Sequence, residues 1–143
     1  MKVLIATRSK RPLPGQDLFV DELRAAFPEV TFVATSSAEE QIEGVADADA
    51  LYGWPTRELF LAARRLQWIH CPGTGIDVIT GIPELVESDV VVTNARGPHA
   101  NPMADHVFGM MVTLAHQLNE MWEDQSAHRW EADKYSDRQV ELS

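Results

Sequence analysis

The sequence predicts an α/β fold built on a doubly wound, parallel, five-stranded sheet. Two observations carry this prediction. Five short apolar runs alternate with helical stretches, and a length of 143 residues with 45% hydrophobic and 24% charged residues is that of one ordinary globular domain. Right-handed crossovers then favour a flavodoxin-like strand arrangement, in which ligands bind beyond the carboxyl ends of the strands.

The first half of the chain alternates strand and helix twice. Val3–Thr7 is a short, β-branched apolar run, which is typical of a strand with both faces buried. Val30–Ala34 is the second such run, and Ser36–Glu40 begins a helix because a capping serine precedes early acidic residues. Between the strands, four apolar residues recur at helical spacing before Pro28 ends the helix: Leu18, Phe19, Leu23 and Phe27.

The second half repeats the alternation three times. Thr56 caps a third helix through Arg65, a short helix begins at Ile76, and a turn follows at Gly81–Pro83. The expected strands are Ala48–Tyr52, Leu66–His70 and Val90–Thr93, and the loops that follow them begin at Gly53, Cys71 and Asn94.

A long C-terminal helix is predicted from Pro102 to about Asp124. From Asn119 to Ser143 the chain is rich in acidic residues and lacks the apolar residues of a core, although Trp122 and Trp130 are large aromatics that usually pack against something. Seven residues of the predicted helix form its apolar stripe: Met103, Val107, Met110, Met111, Leu114, Leu118 and Met121.

Charge, cysteine and histidine patterns exclude several function classes. A net charge of -10 disfavours nucleic acids and anionic membranes, and no apolar run is long enough to span a bilayer. The single cysteine, Cys71, is typical of a reducing compartment, so a cytoplasmic location is expected. The histidine spacings predict no metal site, and no Gly-x-Ser-x-Gly elbow supports a hydrolase.

The glycine-rich loop Gly73-Thr74-Gly75 has two interpretations. Its glycines allow consecutive backbone amides to form a nest for a carboxylate, or they only permit a tight turn. A dinucleotide fingerprint is disfavoured, because Val78 stands where the third small residue belongs. Cationic loop residues that could meet an anion, or simply be solvated, are Arg8, Lys10, Arg11 and Arg96.

Three blocks resemble the N-terminal part of the D-isomer-specific 2-hydroxyacid dehydrogenases. They are residues 66–77 (LQWIHCPGTGID), 90–97 (VVVTNARG) and 100–107 (ANPMADHV), with Ala-Asp-His where that family usually has Ala-Glu-His. The resemblance covers essentially the whole chain. It implies a flavodoxin-like substrate domain that faces a Rossmann NAD(P) domain across the active-site cleft.

The resemblance also implies roles for individual residues. The amides of Thr74 and Gly75, beside Gly73, would hold the substrate carboxylate, and Gly53 with Trp54 would line the opposite wall. From the loop before the C-terminal helix, His99 would face the substrate, and Met103 would touch the nicotinamide end of the cofactor. The acid/base histidine and the Gly-x-Gly-x-x-Gly cradle of the family would follow a segment like Val140–Leu142, so no catalytic residue is expected in this chain.

We therefore expect residues 1–101 to form the substrate domain, and 102–143 an interdomain helix and linker toward an absent Rossmann domain. The parent enzyme would interconvert a D-2-hydroxy acid and a 2-keto acid with NAD or NADP, whereas this truncated chain alone would be inactive and bind no cofactor tightly. Without its Rossmann domain the chain should self-associate as a dimer or other homo-oligomer, for example by exchange of the C-terminal helix. The alternative is a non-catalytic domain that binds a small carboxylate or that serves in oligomerisation or regulation.

Overall fold

The computed structural model describes residues 1–6 and 16–142 of the chain. Two compact units are present, Met1–Arg96 and Gly97–Ser143. In its described residues the first unit contains five strands: β1 (Lys2–Ala6), β2 (Thr31–Thr35), β3 (Ala50–Tyr52), β4 (Trp68–Cys71) and β5 (Val91–Asn94). Its helices are α1 (Gln16–Ala26), α2 (Ala38–Val45), α3 (Arg57–Ala62), α4 (Asp77–Thr80) and α5 (Pro83–Val86).

The strands form one parallel sheet in the order β2-β1-β3-β4-β5, which confirms the predicted fold class. In the register of the sheet, Ile5 of β1 lies beside Tyr52 of β3, which lies beside His70 of β4. Because all five strands run in the same direction, the loops after β3, β4 and β5 leave the sheet at one edge.

Each face of the sheet carries its own apolar cluster, as a doubly wound fold requires. On one face Leu4, Leu51 and Ile69 pack with apolar residues of α2, α3 and α5. On the other face Val3 and Ile5 pack against Val20 and Leu23 of α1. The core therefore lies on both sides of the central strands β1 and β3.

Two of the predicted helix caps form as expected. Ser37 caps α2 and forms a capping box with Glu40, while the Thr56 hydroxyl accepts a hydrogen bond from the Leu59 N–H at the start of α3. These two caps set where α2 and α3 begin.

The second unit contains α6 (Ala100–Ala115), α7 (Leu118–Ser126) and α8 (Asp133–Ser136). The prediction of one helix from Pro102 to about Asp124 is therefore wrong. Gln117 adopts a left-handed conformation with φ 58°, which ends α6, and its side-chain amide donates to the Leu114 and Arg138 carbonyls. The apolar periodicity continues across this break, so the sequence pattern alone could not reveal it.

A buried carboxylate holds the end of the second unit together. Asp124 of α7 is 3% exposed and accepts hydrogen bonds from Arg129 (2.6 Å), from Lys134 (2.8 Å) and from the hydroxyl of Tyr135. Tyr135 is itself buried. The segment that the sequence presents as coreless thus buries a polar cluster, while Trp122 and Trp130 are exposed.

Within residues 1–6 and 16–142, none of the helices combines the length and hydrophobicity needed to cross a bilayer.

Candidate functional site

The candidate site is built from the loops that follow β3 and β4. Gly53, directly after β3, donates its N–H to the His70 carbonyl (2.9 Å) and adopts φ +148°. A Cβ at this position would lie 2.6 Å from the carbonyl oxygen of Ala6. Gly53 is therefore required by the close approach of the β3 loop to the end of β1.

Trp54 and Gly73 pack directly against each other. A Cβ on Gly73 would lie 2.6 Å from Cζ2 and 3.0 Å from Cη2 of the Trp54 indole. Trp54 is half-buried and also packs on the core cluster of the first unit. The structure thus brings together the β3 and β4 loops, with the indole of Trp54 in contact with the glycine-rich loop. The role of Gly53 and Trp54 as the opposite wall of a substrate site stays a prediction.

The β4 loop is also tied to the β5 loop. Asn94 Nδ2 donates to the Thr74 carbonyl (2.8 Å), and the Thr74 hydroxyl donates to the Ala95 carbonyl (3.2 Å). The Ala95 N–H donates to the carbonyls of Cys71 (3.0 Å) and Gly73 (3.2 Å). The sequence predicts Asn94 as the start of a loop at the carboxyl edge, but neither Asn94 nor Ala95 is among the predicted site residues; their place directly at the end of a strand is the signal that could have identified them.

Two backbone donors of the glycine-rich loop have no acceptor among the residues that the structure describes. Within the described part of the chain, no carbonyl or side chain accepts a hydrogen bond from the backbone N–H of Thr74 or of Gly75. Both residues are exposed, and a Cβ on Gly75 would meet nothing closer than Asp77 Oδ2 at 3.5 Å. Consecutive free amides of this kind can bind an anion such as a carboxylate.

The charges around the loop have both signs. Asp77, in the first turn of α4, places a carboxylate near Gly75, while Arg96 is an exposed cation in the β5 loop. The predicted cationic residues Arg8, Lys10 and Arg11 lie outside the described residues. An anion at the Thr74 and Gly75 amides would therefore bind through backbone dipoles against an unfavourable contribution from Asp77.

Two other polar side chains near the strand ends have structural partners. His70 Nδ1 and Trp68 Nε1 both lie 2.9 Å from Thr93 Oγ1, and the His70 ring stacks on Tyr52. Cys71 is buried, and burial raises the pKa of its thiol, so it is not an activated nucleophile. Among the residues that the structure describes, no group of histidine, cysteine and carboxylate side chains could hold a metal ion.

His99 and Met103 belong to the second unit. His99 is the exposed N-cap residue of α6, and Met103 is 65% exposed in the first turn of that helix. The roles expected for them as substrate and nicotinamide contacts remain predictions.

The glycine-rich loop does not fit the diphosphate of a dinucleotide. A cradle of that kind needs glycines so that the ligand can approach the backbone closely. Here the space beside Gly73 is filled by the chain's own Trp54 indole. A nicotinamide cofactor therefore finds no phosphate site in this loop.

Comparisons with known proteins agree with the fold and with the sequence blocks. The family model of the D-isomer specific 2-hydroxyacid dehydrogenase catalytic domain matches residues 5–136. Among solved structures, a D-isomer specific 2-hydroxyacid dehydrogenase family protein from Aeromonas salmonicida subsp. salmonicida A449 is similar at 22% identity and a TM-score of 0.77, over 94% of this chain and 42% of that one. No curated protein matches the sequence.

A second solved structure, the NAD-dependent formate dehydrogenase from Staphylococcus aureus in complex with NAD, is similar at 16% identity and a TM-score of 0.68. The match covers 100% of this chain and 46% of that protein, so the chain spans less than half the length of either solved relative. At these identities the two structures support the fold alone. The match of the family model over residues 5–136 shows that this chain belongs to the D-isomer specific 2-hydroxyacid dehydrogenase family, through its catalytic domain.

Proposed function

We propose that this chain is the substrate-binding half of a dehydrogenase that interconverts a D-2-hydroxy acid and a 2-keto acid. The observation that carries the proposal is the pair of amides at Thr74 and Gly75, which lie in a loop at the carboxyl edge of the sheet and lack an acceptor in the described part of the chain. These amides would bind the carboxylate that all such acids share. Gly53 and Trp54 would form the facing wall, with Gly73 giving the indole room.

In this proposal the chain orients the substrate and leaves hydride transfer to a second domain. The solved relatives are more than twice as long as this chain, and one of them is described in complex with NAD. We therefore propose that a nucleotide-binding domain of the parent holds NAD or NADP, and that His99 and Met103 approach the substrate and the nicotinamide there. The 143-residue chain alone should bind small 2-keto acids weakly and turn none over.

Titration of the isotope-labelled chain with oxalate, an unreactive dicarboxylate, tests the carboxylate site. The amide resonances of Thr74 and Gly75 should shift with saturation. Gly75→Val should weaken binding about tenfold, since a branched side chain would obstruct the approach to two charge-assisted hydrogen bonds. Oxalate shifts spread over the whole surface, with none at these two amides, would contradict the assignment.

Gly81→Val is a matched control for that substitution. Gly81 ends α4 with φ -79°, and a Cβ there would make only ordinary contacts at 3.5 and 3.6 Å with backbone oxygens. The control variant should bind oxalate as the wild type does. Equal losses in both variants would mean that general disturbance of the loop, and not obstruction of the amides, weakens binding.

A further inference from the structure

The hydrogen bonds between the β4 and β5 loops act on the same peptide units that carry the two free amides. In a planar trans peptide, the C=O of one residue and the N–H of the next point in opposite directions, and no peptide bond in the described chain is cis. The Thr74 carbonyl therefore sets the direction of the Gly75 N–H. In the same way, the Gly73 carbonyl sets the direction of the Thr74 N–H.

Both of these carbonyls are held by the β5 loop. Asn94 Nδ2 donates to the Thr74 carbonyl at 2.8 Å, and the Ala95 N–H donates to the Gly73 carbonyl at 3.2 Å. Each bond holds the carbonyl on one side of a peptide unit, while the N–H on the other side has no acceptor in residues 1–6 and 16–142. The two amides of the nest are thus oriented from behind by two consecutive residues at the end of β5.

The glycines on either side make such support necessary. Gly73 and Gly75 have many accessible backbone conformations, so the peptide units next to them could rotate at little steric cost. A rotated peptide would turn its N–H away from the anion and present a carbonyl oxygen to it. A donor that holds the carbonyl in place removes this alternative before the ligand arrives, which lowers the cost of binding.

We propose that Asn94 is a positioning residue that orients the Gly75 N–H toward the substrate carboxylate through its hydrogen bond to the Thr74 carbonyl. The proposal rests on the function proposed above. According to this proposal, a residue at the end of β5 raises the affinity for the substrate although it does not itself donate a hydrogen bond to the anion. The contrasting role is purely structural, in which the bond only joins the two loops and contributes to stability.

Two variants of Asn94 separate these roles. Asn94→Ala removes the donor, and Asn94→Leu removes it while keeping a branched side chain of similar size and adding no charge, which covers the case in which the alanine variant does not fold. Oxalate affinity should fall about three- to tenfold in the folded variants, the loss expected for one hydrogen bond. The shift induced by saturating oxalate should fall more at the Gly75 amide than at the Thr74 amide, because Ala95 still holds the Gly73 carbonyl.

Ser88→Ala is the matched control for stability. The Ser88 hydroxyl donates to the Leu85 carbonyl (2.8 Å) and accepts from the Val90 N–H (3.3 Å), so its loss also removes side-chain hydrogen bonds from a loop next to β5. Urea unfolding should show a loss of stability in this variant, while its oxalate affinity stays at the wild-type value. A change in stability alone therefore does not account for weaker binding.

Each outcome of these titrations decides between the two proposals. If oxalate binds the wild-type chain at the Thr74 and Gly75 amides and binds both Asn94 variants with the same affinity, the positioning role is overturned and the carboxylate site stands. Absence of any oxalate response at these amides in the wild type overturns the carboxylate site, and the positioning role with it. If oxalate affinity falls by the same factor in Ser88→Ala as in the Asn94 variants, Asn94 has a purely structural role.

Discussion

Individual glycines of the first unit serve different physical purposes. Gly53 avoids a backbone clash at positive φ, Gly73 makes room for an indole ring, and Gly75 leaves a surface open. A glycine count or a short glycine motif does not distinguish these cases, because the neighbour that would be hit by a Cβ comes from elsewhere in the chain. Among the glycines that the structure describes, that neighbour lies within 3 Å at Gly44, Gly53 and Gly73, and at Gly53 it is a backbone atom.

Gly53→Ala should destabilise the first unit by about 2 kcal/mol or more. The methyl group would meet the Ala6 carbonyl oxygen, which belongs to a central strand and cannot move aside, and φ +148° is strained for any residue with a Cβ. Urea unfolding of the variant measures the loss. The control Gly81→Ala should stay within about 0.5 kcal/mol of the wild type; a similar stability for both variants would contradict the role given to Gly53.

At the scale of secondary-structure elements, the α7–α8 segment depends on one carboxylate. The hydrogen bonds from Lys134, Tyr135 and Arg129 hold the pKa of Asp124 well below its usual range. The free carboxyl of an unfolded chain titrates near 3.8. The pKa of Asp124 is lower in the folded chain than in the unfolded chain. The stability that Asp124 contributes is therefore fully present above the unfolded value of 3.8, and it is lost as the pH falls from there toward the folded pKa.

The second unit should therefore lose stability as the pH falls below about 4, with Asp124→Asn showing a weaker dependence on pH over the same range. The amide resonances of α7 and α8 in the isotope-labelled chain, followed through a urea titration, report the unfolding of this unit.

Glu123→Gln is the matched control for the charge change. Glu123 is an exposed carboxylate directly beside Asp124 in the sequence. Its variant should keep the acid sensitivity of the wild type. If Asp124→Asn and Glu123→Gln give the same pH profile as the wild type, the buried carboxylate is not the source of the acid sensitivity.

At the scale of the whole molecule, large apolar surfaces of both units are exposed. Helix α6 has no buried residue, and Met103, Phe108 and Leu114 each expose more than 60% of their surface. On the sheet, Trp68 and Val91 are 41% and 59% exposed. A helix that is apolar over most of its circumference is normally buried, and exposed patches of this kind mark interaction surfaces.

We predict that the 143-residue chain self-associates through α6. Sedimentation velocity should show a mass that rises with concentration, and Val107→Glu with Met110→Glu should shift the chain to the monomer. Asn101→Glu places a negative charge in the first turn of α6, outside the apolar stripe, and should leave the self-association of the chain unchanged. A monomer at all concentrations would show that α6 does not mediate self-association.

The sequence alone determined the alternation of strands and helices and the capping residues Ser37 and Thr56, since local periodicity and caps act over a few residues. The order of the strands agrees with the arrangement that right-handed crossovers favour. The glycine-rich loop and the family were likewise predictable, because both are carried by contiguous residues.

Tertiary structure alone decided which donors and acceptors meet across the chain. The bond between Asn94 and the Thr74 carbonyl joins residues 20 positions apart, and the Tyr135–Asp124 bond joins residues 11 apart. Gln117 ends α6 within an unbroken apolar pattern, where its amide reaches the Arg138 carbonyl. Hydrophobic periodicity records which side of an element is buried, but it carries no information about the polar partner that another segment brings to a particular atom.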